Sequence, residues 1–283
     1  MAFMAIDHDQ LVPAWIIDET PAVAWEKLQV VGLRETTSTN EEALQRARQG
    51  AASGTLVFAE SQTAGRGRKG RQWISPPGTG LYFSLVLRPE RSPSCWTLLT
   101  HVAAVALARA LQELTEAHFI PKPLDVELKW PNDVLISGKK TAGILLETVG
   151  IGGAISAAVV GVGVNVRQGG FPAELRDQVI SVSEAAGVQV PRRHILVRFL
   201  YHFQLGYDLF MRGEHKAILE QWKSLSRMWR DTPVWVVEND QARPAVTAGL
   251  TDTGALVVRT PDGAEETILA ADVSIRRSPR EER

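Results

Sequence analysis

Apolar side chains recur along this chain with two periods, one helical and one strand-like. Between residues 93 and 114, Trp96, Leu99, Val102, Ala103, Ala106, Ala110 and Leu114 follow helical spacing and predict a long core-facing helix. His101 falls inside that pattern, where a helix-surface or satisfied core histidine is the expectation rather than a ligand. Earlier, Ala43, Leu44 and Ala47 repeat at the same spacing behind Ser38-Thr39-Asn40-Glu41. That is a capping-box sequence: Ser38 is expected to cover free N–H groups, Glu41 to reach back, and Gly50 to stop the helix. Further helices are expected from about 192 to 212 and from about 216 to 228. Apolar runs over residues 55–59, 81–87, 126–130, 143–149 and 155–164 read as buried strands.

After Asp231 the texture changes. Short strands are expected over 234–237, 243–250, 255–259 and 266–269, separated by Asn239-Asp240, Asp252-Thr253-Gly254 and Pro261-Asp262-Gly263. Such close hairpin signals predict a small β-barrel. Residues 1–35 carry Pro13 and Pro21 and show no clear periodicity; a short helix around residues 25–28 is all they suggest.

The length of 283 residues, with 45% hydrophobic, suits one large domain plus a small one. A net charge of −1 argues against a general nucleic-acid binder, so any cationic function must be local. Cys95 is the only cysteine, which excludes an internal disulfide and a cysteine-based zinc site. The N-terminus has no basic n-region or export-length apolar stretch, and no run approaches the ~18 to 20 apolar residues of a membrane span. A soluble cytoplasmic protein is the expectation.

The local cationic feature is Gly65-Arg66-Gly67-Arg68-Lys69-Gly70-Arg71. It matches Gly-x-Gly-x-x-Gly, but that dinucleotide fingerprint needs a helix directly after the glycines, and Trp73-Ile74-Ser75-Pro76-Pro77-Gly78 cannot begin one. The loop reads instead as a clamp for a phosphate-bearing ligand, mobile until its anion arrives. Lys129-Trp130-Pro131-Asn132-Asp133 is a turn that also offers a cation for phosphate and a hard oxygen for magnesium. Lys140 precedes a buried strand containing Gly143, and Gly161-Val162-Gly163-Val164-Asn165 leaves space for a flat ring or for close packing. Ser38-Thr39-Asn40 presents hydroxyl and amide groups at a helix start.

Taken in order, Ser-Thr-Asn, Gln-x-Ala-Gly-Arg-Gly-Arg-x-Gly-Arg-x-Trp, Lys-Trp-Pro-Asn-Asp, Lys-x-Ala-Gly-Ile-Leu-x-Glu and Gly-x-Gly-x-Asn form one pattern. The chain resembles the biotin protein ligases from about Ser38 to Asn165, and more weakly through the C-terminal barrel. The resemblance implies an α+β fold: a mixed-sheet ligase catalytic domain, like that of class II aminoacyl-tRNA synthetases, over residues 36–231. A short extension (1–35) precedes it and an SH3-like β-barrel (232–283) follows. It implies that biotin and ATP, with Mg²⁺, give biotinyl-5′-AMP, and that biotin then passes to a lysine of the biotin carboxyl carrier protein of acetyl-CoA carboxylase.

By the same resemblance, Ser38, Thr39, Asn40 and Gln62 line the biotin pocket. Arg66, Gly67 and Arg68 close over biotin and adenylate, Arg71 supports the phosphates, and Trp73 and Gly143 belong to the binding set. Lys140 contacts the reacting carboxyl and phosphate oxygens. Lys129 and Asp133 serve ATP and magnesium, and Asn165 lies at the adenylate floor. Many members carry an N-terminal helix-turn-helix domain; the residues before Thr36 are too few for one, so no operator binding is expected. Oligomeric state is left as monomer or homodimer. The rival readings are a lipoate–protein ligase, a nucleic-acid module using the basic loop, and a regulator that binds biotin without ligating it.

Overall fold

The computed structural model describes residues 11–20, 28–151, 154–167, 171–238, 241–269 and 273–277. The chain begins with helix α1 (Pro13–Glu19) and strand β1 (Gln29–Thr36), then helix α2 (Thr39–Arg48) and strand β2 (Thr55–Gln62). Strand β3 (Gly80–Leu87) returns beside β2 and leads to the long helix α3 (Leu98–Glu116). Four strands follow: β4 (Val126–Lys129), β5 (Asp133–Ile136), β6 (Lys139–Ile151) and β7 (Ala154–Asn165). Helices α4 (Val182–Ala186), α5 (Arg192–Met211) and α6 (His215–Ser224) come next. Strands β8 (Pro233–Glu238), β9 (Gln241–Leu250), β10 (Leu256–Arg259), β11 (Glu265–Ile268) and β12 (Val273–Arg277) complete the described chain.

The first sheet has seven strands in the order β1-β2-β3-β7-β6-β5-β4. β1 and β2 are parallel and joined through α2, while the remaining pairs are antiparallel, which makes the sheet mixed. Its central strands are buried on both faces, so period-two alternation sorts apolar side chains between two layers rather than between core and water. Leu56, Phe58, Leu85 and Val160 join α3 and α5 in the main core. Val57, Val86 and Val159 meet Ala43, Leu44 and Ala47 of α2 on the other face. Only part of that second face is covered by α2.

Several expectations shift. The extension expected over residues 1–35 contributes α1 and most of β1, so the main sheet starts at Gln29. The helix suggested around residues 25–28 falls largely on positions outside those described. Ser38 stands at the N-cap of α2 with extended backbone but makes no side-chain capping hydrogen bond, so the capping box does not form. The free N–H of Thr39 goes instead to Gln62 Oε1, at 2.8 Å.

Residues beyond Asp231 form a separate antiparallel sheet of five strands, ordered β11-β10-β9-β8-β12. It is fastened to the first unit by its β9–β10 turn. Trp130 Nε1 donates to the Gly254 carbonyl at 3.1 Å, and Thr97 Oγ1 donates to the Thr253 carbonyl at 3.0 Å. His101 is buried beside Trp222, and a side chain at Gly254 would begin 2.4 Å from its ring. Burial lowers the His101 pKa from 6.5 to about 4, backbone groups of Thr97 and Gly254 opposing that shift only in part. His101 is thus a core residue as expected, but not a satisfied one, since neither ring nitrogen meets a hydrogen-bond partner in good geometry. No helix of the described residues is long and apolar enough to cross a membrane.

Candidate active site

Beyond the first turn of α2, the second face of the main sheet is left open, and a cavity of about 740 Å³ occupies the gap. Its size lies within the range of small-molecule sites. Every residue expected from the sequence borders it: Ser38, Thr39, Asn40, Gln62, Arg66, Gly67, Arg68, Arg71, Trp73, Lys129, Asp133, Lys140, Gly143 and Asn165. They come from the start of α2, the loop after β2, the β4–β5 turn, the start of β6 and the end of β7.

The floor is polar and internally bonded. Gln62 Oε1 accepts from Thr39 Oγ1 at 3.3 Å, and Gln62 Nε2 donates to Ser75 Oγ at 2.7 Å. Ser84 Oγ lies 2.8 Å from Thr39 Oγ1 and donates to Asn40 Oδ1 at 2.6 Å. Asn40 Nδ2 faces Glu147 Oε2 at 2.8 Å and the Leu145 carbonyl at 3.3 Å. Ser38, freed from capping, borders the cavity with its hydroxyl uncommitted to the helix.

The glycines of β7 settle what fills their space. A Cβ at Gly161 would stand 1.9 Å from Asn40 Oδ1, and one at Gly163 would stand 2.5 Å from Trp73 Nε1. Close packing of protein groups, rather than a ligand ring, takes up that room. The Trp73 indole lies across β7 with its buried Nε1 lacking a hydrogen-bond partner.

The cationic loop is a narrow hairpin. Gly67 N donates to the Arg71 carbonyl at 2.7 Å, and Trp73 N donates to the Gly65 carbonyl at 2.9 Å. Lys69 (φ 58°) and Gly70 (φ 69°) turn its tip through the left-handed region. Protein groups offset part of the charge. Arg66 Nη2 meets Glu147 at 2.8 Å and Glu41 at 3.4 Å, and Arg68 Nη1 donates to Asn132 Oδ1 at 3.3 Å.

Lys140 and Asp133 meet through a bulge. Asp133 pairs with Gly143 and Val134 with Ala142, but Leu135 then pairs with Lys140, leaving Thr141 as the extra residue. Without that shift, alternation would turn Lys140 away from the face that carries Asp133 and Gly143. With it, Lys140 Nζ lies 2.7 Å from Asp133 Oδ1 and 5.4 Å from the centre of a Trp73 ring. The bulge frees the Lys140 backbone for a neighbouring segment: its N–H donates to the Gln178 carbonyl at 2.8 Å, and Ile180 N donates to its carbonyl at 3.0 Å.

That segment was not foreseen. Phe171, Leu175, Asp177 and Gln178 border the cavity beside Lys140, yet no motif marks them, because Lys140 engages Gln178 through main chain. Asn132, which seats Arg68, and Ser84, which orders the floor, join the site beyond the expected residues; Asn132 lies inside the Lys-Trp-Pro-Asn-Asp motif, and nothing in the sequence marks Ser84. For magnesium, the cavity wall supplies the carboxylates of Asp133 and Asp177, and no group of three acidic, histidine or cysteine residues gathers among the described residues. That donor set fits an ion carried mainly by phosphate oxygens, since Mg²⁺ is commonly held by one or two carboxylates plus substrate phosphates.

The arrangement places fixed cations around a space able to hold a ligand with more than one anionic group. Known proteins resemble the chain that carries it. The biotin/lipoate A/B protein ligase family model matches residues 32–165, and the biotin protein ligase C-terminal domain model matches residues 245–276. The bifunctional ligase/repressor BirA of Bacillus subtilis is 34% identical over 247 residues, covering 84% of this chain and 71% of that protein. The biotin–[acetyl-CoA-carboxylase] ligase of Paracoccus denitrificans is 34% identical over 245 residues, covering 85% of this chain and 98% of that one. The biotin protein ligase of Aquifex aeolicus, solved in complex with biotin and ATP, superposes with a TM-score of 0.74 at 30% identity, covering 88% of this chain and 99% of that one. The chain belongs to the biotin protein ligase family.

Proposed function

We propose that this protein is an ATP-dependent biotin–protein ligase. The carboxylate of biotin attacks the α-phosphorus of ATP, forming the acyl-phosphate bond of biotinyl-5′-AMP as pyrophosphate leaves. A lysine amine of the carrier then attacks the acyl carbon, forming an amide as AMP departs and the amine loses its proton. The observation that carries this reading is the convergence of the loop arginines and Lys140 on one cavity beside a bonded polar floor.

In this reading Ser38, Thr39 and Gln62 hold biotin above the floor and Asn40 supports them from beneath. Arg66, Gly67 and Arg68 close over the reacting groups, Arg71 and Lys129 meet phosphate, and Trp73, Gly143 and Asn165 shape the walls. Two anions must be brought together, and Lys140, set close to Asp133, is placed to offset their repulsion. Asp133 would be the protein's carboxylate for a Mg²⁺ ion carried by ATP, which would supply further charge neutralisation. The catalytic unit spans residues 36–231 with β1 added to it, and residues 232–283 form the C-terminal barrel. The carrier partner is that of acetyl-CoA carboxylase, and the enzyme acts in the cytoplasm as a monomer or homodimer.

Biotin-dependent pyrophosphate release by the purified chain, followed by biotin transfer to apo-carrier, tests the reading. Turnover with lipoate but not biotin would move the assignment to lipoate ligation; release without transfer would leave only the adenylation half.

A further inference from the structure

Glu147 ends the Lys-x-Ala-Gly-Ile-Leu-x-Glu stretch and does not border the main cavity; it borders a separate hollow behind the cationic loop. It reaches the main cavity through Arg66 and Asn40, which do border it. Its Oε2 accepts from both Arg66 Nη2 and Asn40 Nδ2, each at 2.8 Å. The carboxylate is 27% exposed and Asn40 only 4%, so the tie runs from the loop surface into a buried floor.

The bonds form a closed circuit. Arg66 leads through Glu147 to Asn40, Asn40 to Ser84, Ser84 to Thr39, and Thr39 to Gln62. Gln62 then reaches Ser75, which follows the returning limb of the loop. Both limbs are thus fastened to the first turn of α2, one through a charge and one through neutral groups. Gly161 is what lets Asn40 sit between them.

We propose that Glu147 is a positioning residue: it holds Arg66 over the cavity mouth and makes loop position and pocket floor one mechanical unit. The kinetic part of this inference rests on the biotin-ligase reading, whereas the loop tie does not. Charge-assisted bonds of this kind are stronger than neutral ones, and the shared acceptor couples the two donors.

The test uses the full chain without ligands, following amide hydrogen exchange over residues 65–73. Glu147→Gln keeps an acceptor for Asn40 but removes the charge that holds Arg66. Exchange in Glu147→Gln and in Arg66→Gln should each rise roughly three- to tenfold, and the double variant should exceed Arg66→Gln by little, because both changes delete the Arg66–Glu147 bond while Arg66→Gln also removes the longer contact to Glu41. In turnover, Glu147→Gln should raise KM for biotin by about the same factor with kcat nearly unchanged, the pattern of lost binding rather than lost chemistry. Glu147→Asp, which retains charge, should fall between. Unchanged exchange in the loop, additive effects in the double variant, or exchange rising equally across β6 and β7 would overturn the proposal. Failure of wild-type turnover would count against the ligase reading and leave the exchange result standing.

Discussion

Lys140 Nζ and Asp133 Oδ1 lie 2.7 Å apart on neighbouring strands, brought to one face by the bulge at Thr141. Their side chains are 33% and 21% exposed, so solvent screens the pair and it adds about 0–1 kcal/mol to stability at most. The value of the contact lies in where it holds a cation.

Lys140→Ala should therefore separate function from folding. Pyrophosphate release should fall by roughly a hundredfold or more, the scale on which removal of one charge-stabilising donor acts. The melting temperature should move by only a few degrees. Wild-type turnover in this variant would refute the role assigned to Lys140.

Gly161→Ala tests the floor. Its added methyl would meet Asn40 Oδ1 in a fully packed site, so a loss of about 1–3 kcal/mol is expected in chemical denaturation. Biotin affinity should drop with it, because Asn40 holds Ser84 and, through it, Thr39. A variant with native stability and affinity would show that Asn40 moves aside freely.

Trp130→Phe removes the donor to the Gly254 carbonyl between the two sheets. An orphaned buried acceptor costs on the order of 1–3 kcal/mol, and the denaturation midpoint should fall accordingly. The same change loosens the turn that carries Lys129 and Asp133, so KM for ATP should rise in initial-rate measurements.

Acid should weaken the fold through His101. An unfolded histidine takes up its proton near pH 6.5, whereas the buried one resists until about pH 4. The unfolded state consequently binds more protons between those values. This contribution is absent above pH 6.5, grows against folding as pH falls to about 4, and then levels off, reaching about 3 kcal/mol. Urea titrations of wild type and His101→Gln should show that part of the slope vanish in the variant.

Much of this molecule was legible before its coordinates. Strands β2, β3 and β7 announce themselves because both their faces are buried and their sequences run apolar without interruption. β1 did not, since an edge strand with burial on little of either face needs no such run. β5 is four residues long and begins within a motif that reads equally well as a turn. The capping box at Ser38 was a false signal: Gln62, distant in sequence, supplies the acceptor instead. Glycines at 161 and 163 marked close approach correctly but could not say whether Asn40, Trp73 or a ligand would do the approaching.

The bulge in β6 has a consequence for how this chain tolerates change. Lys140 keeps its orientation because its own N–H and C=O are held by the main chain of Gln178 and Ile180. Replacing Ile180 by valine leaves that grip intact, and pyrophosphate release should be preserved. Proline there deletes the N–H, and turnover should fall although the altered side chain contacts no reacting atom. The reading frame of a catalytic strand is thus kept by a stretch of backbone whose letters are free to drift while its path is not.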